Sequence, residues 1–190
     1  AGKVAELRSI LSAAELTTPA DIGLDLDVEE VGESFAENAA LKAKAFARVA
    51  NMVALADDSG LEVDALGGAP GIYSARYGGA GLDDQARYEL LLQNLQEVTE
   101  FARRAARFRC CMVAASPQGS CCTSTGICEG FITREPSGQA GFGYDPVFYL
   151  PEYRKTMAEI PPEEKNLISH RARAAREMEP LLRQRFPELF

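Results

Sequence analysis

The chain is poor in histidine and has no tryptophan. It holds one histidine and five cysteines in 190 residues, and no two cysteines have the C-x-x-C spacing of a zinc site. A single histidine excludes a multi-histidine metal centre. The cysteines are Cys110, Cys111, Cys121, Cys122 and Cys128. Their odd number and adjacent pairing do not fit a disulfide framework, so we expect free thiols in a reducing compartment.

Positive charge and long hydrophobic runs are also scarce. The formal net charge is −8, which argues against a nucleic-acid polymer or a membrane surface as partner, because both need a basic footprint. No hydrophobic run reaches the length of a membrane span, and no signal-peptide pattern opens the sequence. We therefore expect a cytoplasmic protein without a membrane partner. A small anionic ligand would need a local basic cluster or a metal ion.

Three common motifs are missing as well. The sequence has no Walker A loop, no G-x-G-x-x-G fingerprint and no G-x-S-x-G nucleophile elbow. P-loop and serine-triad chemistry therefore have no support. The length favours one domain, and a hydrophobic content of 46% is enough for a sizeable core.

The most informative stretch that is present is Ala56-Asp57-Asp58-Ser59-Gly60. The apolar run before it predicts a buried strand that ends in an acidic turn. Two adjacent carboxylates in such a place raise each other's pKa unless a cation or hydrogen-bond donors offset them. Taken alone, the stretch fits an ordinary acidic turn equally well.

A helix is predicted from Ser34, which forms a capping-box pattern with Glu37, to about Ala50. Lys42 interrupts its apolar stripe, and Asn38 lies one turn earlier. Either the lysine stem packs while its ammonium reaches water, or the ammonium points into a polar cleft. The predicted stripe is Phe35, Ala39, Lys42, Phe46 and Val49.

The second half of the chain predicts a β-hairpin, a glycine-rich turn and a final helix. Residues 107–115 and 120–133 alternate as strands around a Ser-Pro-Gln-Gly turn. Residues 138–146 place glycines around Phe142, which suits either a core aromatic or a ring that stacks on a flat ligand. Prolines and acids at residues 161–164 start a helix that Pro180 kinks or ends.

With these segments in view, the sequence resembles the inosine triphosphate pyrophosphatase family, the bacterial XTP/dITP diphosphatase or Ham1-like group. The resemblance covers nearly the whole chain. Several blocks in the family's order are far more specific than any one of them. The matching blocks are residues 2–7, 35–43, 56–61, 65–77, 141–146 and 163–171.

The resemblance implies an α/β fold with an elongated mixed β-sheet flanked by helices, and two lobes around a central substrate cleft. It implies a homodimer as well. One two-lobed domain would span residues 1–190 and would lack the family's first strand, because only Ala1-Gly2-Lys3 remains of the phosphate loop that follows that strand. We expect lower stability and activity if the strand is truly missing.

The resemblance also implies an activity, namely Mg²⁺-dependent hydrolysis of ITP, dITP and XTP to the monophosphate and pyrophosphate. Asp58 would be the general base or a metal ligand, and Glu29 or Glu30 would help to hold Mg²⁺, with the choice between them open. The resemblance implies that Lys3, Lys42 and Lys165 bind phosphates and that Asn38 and Ser59 contact the substrate. It implies a base and sugar site made of Phe142, Gly143, Tyr144, Asp145, His170 and Arg171.

Two other functions remain open from the sequence. One is a catalytically impaired nucleotide-binding protein of the same fold, although Asp58 and the lysines argue against it. The other is a general Mg²⁺-dependent nucleotide phosphohydrolase, which would release orthophosphate first.

Overall fold

The computed structural model describes residues 4, 7, 8, 10, 11 and 15–190. The chain divides into two compact units, each with its own core. Unit 1 comprises residues 1–58, 110–126 and 170–190, and unit 2 comprises residues 59–109 and 127–169. None of the described helices is long and apolar enough to cross a bilayer. All five cysteines are free.

The described strands form one five-stranded sheet in which each strand lies beside its neighbour in the sequence. They are β1 (Ala54–Val63), β2 (Ala105–Ala115), β3 (Cys121–Ile132), β4 (Phe148–Leu150) and β5 (Lys155–Thr156). The predicted α/β class with flanking helices is confirmed. Within the described part of the chain the sheet is antiparallel, so it lacks the parallel pair that a mixed sheet would contain.

The predicted hairpin of β2 and β3 is confirmed. The amide of Gly119 donates to the carbonyl of Ser116 at 3.0 Å. Gly119 has a φ of 95°, a value that glycine adopts without steric cost. The turn therefore fixes the register of the two longest strands.

The prediction that Asp57 and Asp58 end a strand is wrong. Strand β1 continues through both acids to Val63. Successive residues of a strand point to opposite faces, so the two carboxylates leave the sheet on opposite sides. This separation allows the strand to pass through an acid pair without a turn.

Helix α1 (Phe35–Ala50) of unit 1 has the predicted start and end. The hydroxyl of Ser34 accepts the amide N–H of Glu37 at 3.2 Å. The Glu37 carboxylate accepts the N–H of Glu33 at 2.7 Å, so it reaches one residue further back than a capping box requires.

The buried face of α1 differs from the predicted stripe. Val49 is 57% exposed, and Lys42 lies beside the buried face rather than in it. Small side chains dominate the face because α1 packs closely on Val113 and Ala115 of β2. Its buried residues are Phe35, Asn38, Ala39, Ala43 and Ala47.

The predicted final helix is two helices. Helix α3 (Pro162–Ile168) belongs to unit 2 and helix α4 (His170–Arg185) to unit 1. Ser169 separates them because its backbone is extended, with a ψ of 154°. Pro180 lies inside α4 and does not end it.

The core of unit 2 is built from β1 to β4 and from helix α2 (Asp84–Asn94). Leu91 and Leu95 at the end of α2 are fully buried in it. The rings of Phe108 and Phe148 pack with centroids 4.5 Å apart. Helix α2 is therefore firmly anchored at its C-terminal end.

The first turn of α4 packs directly against Gly126 on β3. A Cβ atom at Gly126 would lie 2.0 Å from the carbonyl oxygen of His170 and 2.5 Å from the amide nitrogen of Ala174. The hydroxyl of Ser124, on the same strand, donates to the carbonyl of Ala174 at 2.8 Å. Only glycine permits this close approach of helix and strand.

We expect Gly126→Ala to lower the free energy of unfolding by about 2–3 kcal/mol, because the methyl group would meet helix backbone that has to shift. Urea denaturation followed by circular dichroism measures this change. Thr123→Ala, at an exposed position of the same strand, is the matched control and should shift the midpoint little. An unchanged midpoint for Gly126→Ala would contradict the close packing.

Candidate functional site

An ammonium group held between two carboxylates is the main polar feature of unit 1. Lys42 Nζ lies 2.6 Å from Glu30 Oε1 and 3.1 Å from Asp58 Oδ1. The Lys42 side chain is 20% exposed and that of Asp58 11%. Of the two readings of Lys42, the structure supports the ammonium directed at polar partners. We call Glu30, Lys42 and Asp58 the acid–lysine cluster.

Asn38 holds this cluster together from within the protein. It is fully buried. Its amide nitrogen donates to Asp58 Oδ2 at 3.4 Å, and its amide oxygen accepts the N–H of Gly32 at 2.8 Å. One side chain therefore links the segment that carries Glu30 to the strand that carries Asp58. The predicted substrate contact of Asn38 stays a prediction, and the observed contacts give it a positioning role.

The electrostatics of the cluster raise both pKa values. Burial raises the pKa of Asp58 above its usual range, and the nearby Lys42 charge opposes this shift without cancelling it. Burial by itself lowers the pKa of Lys42, but the hydrogen bond with Glu30 and the charge of Asp58 outweigh it. Lys42 therefore stays protonated at neutral pH, while Asp58 is a stronger base than an exposed aspartate.

The second acid of the pair, Asp57, has a cation of its own. Arg171 of α4 donates from Nε and Nη2 to Asp57 Oδ2, each at 3.2 Å. The Arg171 side chain is 2% exposed. This pair explains how Asp57 stays in a sheet beside Asp58, because each carboxylate faces a different cation.

The other predicted residues of unit 1 fall in different environments. Glu30 belongs to the cluster, whereas Glu29 is exposed. His170, at the start of α4, is buried. Lys3 lies outside the described residues. The substrate contacts predicted for His170 and Arg171 stay predictions.

Unit 2 contains the glycine–aromatic turn, residues 141–145, which the sequence predicts as the base site. Asp145 Oδ2 accepts the N–H of Phe142 at 2.9 Å and the ammonium of Lys165 at 2.5 Å. The Lys165 nitrogen lies 4.7 Å from the centre of the Phe142 ring. The structure thus brings together three of the predicted residues.

The geometry of this turn depends on Gly141, whose φ is 83°. A Cβ atom there would lie 2.1 Å from Asp145 Oδ2. Glycine is therefore required for the carboxylate to fold back under the turn. Phe142 is 43% exposed, so its ring faces solvent rather than the core.

Tyr144 anchors the turn to the rest of unit 2. Its hydroxyl donates to the carbonyl of Ser74 at 2.8 Å, and the side chain is buried. Burial raises the pKa of the Tyr144 phenol well above its ordinary value, so it remains a hydrogen-bond donor. The Ser74 hydroxyl in turn accepts the N–H of Leu61 on β1 at 2.8 Å. Ser59, on the same strand, is half-buried.

The two groups of residues suit different chemistry. The acid–lysine cluster offers carboxylates to a hard cation and an ammonium to phosphate oxygens. The glycine–aromatic turn offers an exposed ring for stacking, with a cation beside it. Within the described residues, no group of three or more His, Cys, Asp or Glu side chains could hold a metal by itself.

Comparison with known proteins identifies the family. A model of the Ham1 family matches residues 1–181. The chain belongs to the Ham1 family. A relative from Bacillus anthracis, named dITP/XTP pyrophosphatase, is 47% identical over 193 aligned residues that cover 100% of this chain and 93% of the relative. A Listeria monocytogenes protein of the same name is 51% identical over 180 residues, which cover 94% of this chain and 88% of that protein.

Solved Ham1 structures share the fold. The HAM1 protein from Coxiella burnetii aligns with a TM-score of 0.88 and 38% identity, covering 97% of this chain and 94% of that one. The Ham1 protein from Staphylococcus aureus aligns with a TM-score of 0.87 and 41% identity, covering 96% and 94%. Both similarities extend over nearly the full length of the chain.

Two contacts of the site have no counterpart in the sequence-based predictions. The pairing of Asp57 with Arg171 joins residues 114 positions apart. Asp84 accepts the N–H of Gly143 at 2.7 Å from 59 positions away. No spacing pattern indicates either contact, because both depend on tertiary structure.

The adjacent acids should respond to substitution in opposite directions. Asp57→Asn replaces the carboxylate that accepts two hydrogen bonds from the buried guanidinium of Arg171, and we expect a loss of about 2–4 kcal/mol in the free energy of unfolding. Asp58→Asn should be at least as stable as the parent at pH 7, because the fold disfavours the ionised form of Asp58.

Chemical denaturation across a pH series tests both expectations. When folding raises the pKa of a carboxyl, the free energy of unfolding of the protein falls as the pH rises above the unfolded pKa of that group. Any stability advantage of Asp58→Asn should therefore vanish in acid. Equal destabilisation by the two substitutions at pH 7 would contradict the separate roles of the acids.

Proposed function

We propose that the chain hydrolyses deaminated purine nucleoside triphosphates, such as ITP, dITP and XTP, to the nucleoside monophosphate and pyrophosphate. The observation that carries the proposal is the acid–lysine cluster. Relatives named dITP/XTP pyrophosphatase support it, because the alignment with this chain covers nearly their whole length. Such an enzyme removes damaged nucleotides from the pool.

The donor set of the cluster fits a magnesium ion that is shared with the substrate. Mg²⁺ in nucleotide enzymes takes one or two carboxylates and completes its shell with water and phosphate oxygens. Asp58 and Glu30 supply two carboxylates, and both lie next to Lys42. When bound, Mg²⁺ would neutralise phosphate charge and acidify a water molecule. We assign the metal-binding role to Glu30 rather than to the exposed Glu29.

Asp58 is assigned as the general base. It takes a proton from the water that attacks the α-phosphorus, the bond to the bridging oxygen breaks, and pyrophosphate leaves with the bonding electrons. The Asp58 carboxylate is 11% exposed and lies 3.1 Å from Lys42, so the groups for proton transfer and for phosphate binding are adjacent. Lys42 contributes a fixed positive charge to the phosphate oxygens.

The glycine–aromatic turn is assigned to base recognition. Phe142 would stack on the purine, and the Lys165 ammonium over the ring would donate to the 6-oxo group, in place of the phosphate contact that the resemblance implies. Adenine carries an amino group at that position, so a donor site would leave buried groups unpaired and reject it. Asp145 holds Lys165 in place for this contact.

On the basis of the family resemblance, we also propose that the protein is a homodimer and that it is located in the cytoplasm.

The product pair distinguishes this activity from the alternatives. With ITP and Mg²⁺, we expect IMP and pyrophosphate in equal amounts, and slower turnover of GTP under the same conditions. Ion-exchange chromatography of both reactions measures this. Orthophosphate as first product would support a general phosphohydrolase instead, and no product at all would support a binding protein.

Asp58→Asn should lower kcat for ITP hydrolysis by about 100-fold or more, because the proposed general base is lost.

Glu29 and Glu30 form a matched pair for the metal assignment. Glu30→Gln should raise the Mg²⁺ concentration needed for half-maximal activity by about 10-fold or more, because one of the carboxylates offered to the metal is lost. Glu29→Gln, one residue earlier and exposed, should leave it unchanged. Titration of ITP hydrolysis with Mg²⁺ measures both variants, and the reverse order of effects would move the assignment to Glu29.

A further inference from the structure

We propose that Asp84 is a positioning residue that sets the direction of the Phe142 ring through the backbone of Gly143. The inference concerns unit 2 alone and rests on the proposed function, since it gives the glycine–aromatic turn its role in base binding. Asp84 lies on α2, outside every segment that carries the sequence resemblance.

The first step of the argument is that two carboxylates take two consecutive amides of the turn. Asp145 Oδ2 accepts the N–H of Phe142, and Asp84 Oδ2 accepts the N–H of Gly143 at 2.7 Å. The peptide groups on both sides of the Phe142 Cα are thus fixed. A fixed backbone at this residue sets the direction of the Cα–Cβ bond from which the half-exposed ring extends.

The second step is that the backbone conformation at position 143 favours glycine. Its φ is 61°, in the left-handed region, and a Cβ atom there would meet no atom within 4 Å. The glycine therefore relieves no steric clash. Its conformation turns the N–H toward Asp84, and a side chain at this position would strain it.

The third step is that Asp84 is itself held on a rigid element. It occupies the first turn of α2, where the helix dipole favours a negative charge. Its Oδ1 lies 3.4 Å from Nη1 of Arg87, one turn along the helix. Leu91 and Leu95 bury the other end of α2 in the core of unit 2. Asp84 thereby gives the turn an attachment to the core of unit 2 in addition to that of Tyr144.

Asp83 provides a matched control. It is the N-cap of α2, and its carboxylate accepts the N–H of Ala86 at 2.8 Å. Asp83 and Asp84 are adjacent acids at the same helix end. Loss of Asp83 weakens the helix start, whereas loss of Asp84 removes the contact to the turn. A merely structural role of Asp84 would make the two losses alike.

The test compares Asp84→Ala, Asp84→Asn and Asp83→Ala with the parent in the full chain. Asp84→Ala should raise KM for ITP by about 3–10-fold with little change in kcat, the size expected for the loss of one ordinary hydrogen bond. Asp84→Asn keeps an acceptor oxygen and should restore most of the loss. Asp83→Ala should lower the melting temperature and leave KM unchanged.

A second measurement needs no catalysis. In the nucleotide-free protein, NMR-detected hydrogen exchange at the Gly143 amide should become about 3–10-fold faster in Asp84→Ala, and not in Asp83→Ala. Unchanged exchange at Gly143, or equal KM effects of the two alanine variants, would overturn the proposal. If the parent does not hydrolyse ITP, the proposed function fails, and the exchange result still decides whether Asp84 holds the turn.

Discussion

Two adjacent carboxylates in the middle of a β-strand are the constraint on which unit 1 depends. A strand separates its neighbouring side chains by sending them to opposite faces, but each face must then offset a buried negative charge. Arg171 does so for Asp57, and Lys42 does so for Asp58. The two cations come from two helices, so the acid pair fixes both α4 and α1 against the same strand.

The packing of unit 1 follows from that requirement. Lys42 reaches Asp58 because the alanine-rich face of α1 lets the helix lie close to β2. Arg171 reaches Asp57 because Gly126 lets the first turn of α4 approach β3. The small residues allow each helix to approach the sheet closely, and this close approach is what brings each cation to its carboxylate. A larger residue at either contact would move a cation away from its carboxylate.

The sequence allowed prediction of the fold class, the hairpin and α1, and it singled out Asp58 and Lys42 as candidate site residues. Those features rest on local patterns: a capping residue, a turn, and a lysine that breaks an apolar stripe. The choice of Glu30 over Glu29 needed the tertiary position of Lys42. The break at Ser169 carries no glycine or proline, so propensity did not reveal it. The contact between Asp57 and Arg171 joins distant residues, which single-sequence patterns do not indicate.

The two acids also show how one strand can hold a strained group. The raised pKa of Asp58 means that its ionised form is disfavoured by the fold, although Lys42 lies 3.1 Å away. Asp57 accepts two hydrogen bonds from the buried guanidinium of Arg171. The two acids therefore meet different electrostatic demands at neighbouring positions on opposite faces of β1. A carboxylate whose charge is disfavoured is tolerated in the sheet because the residue beside it stabilises the helix that packs on the other face.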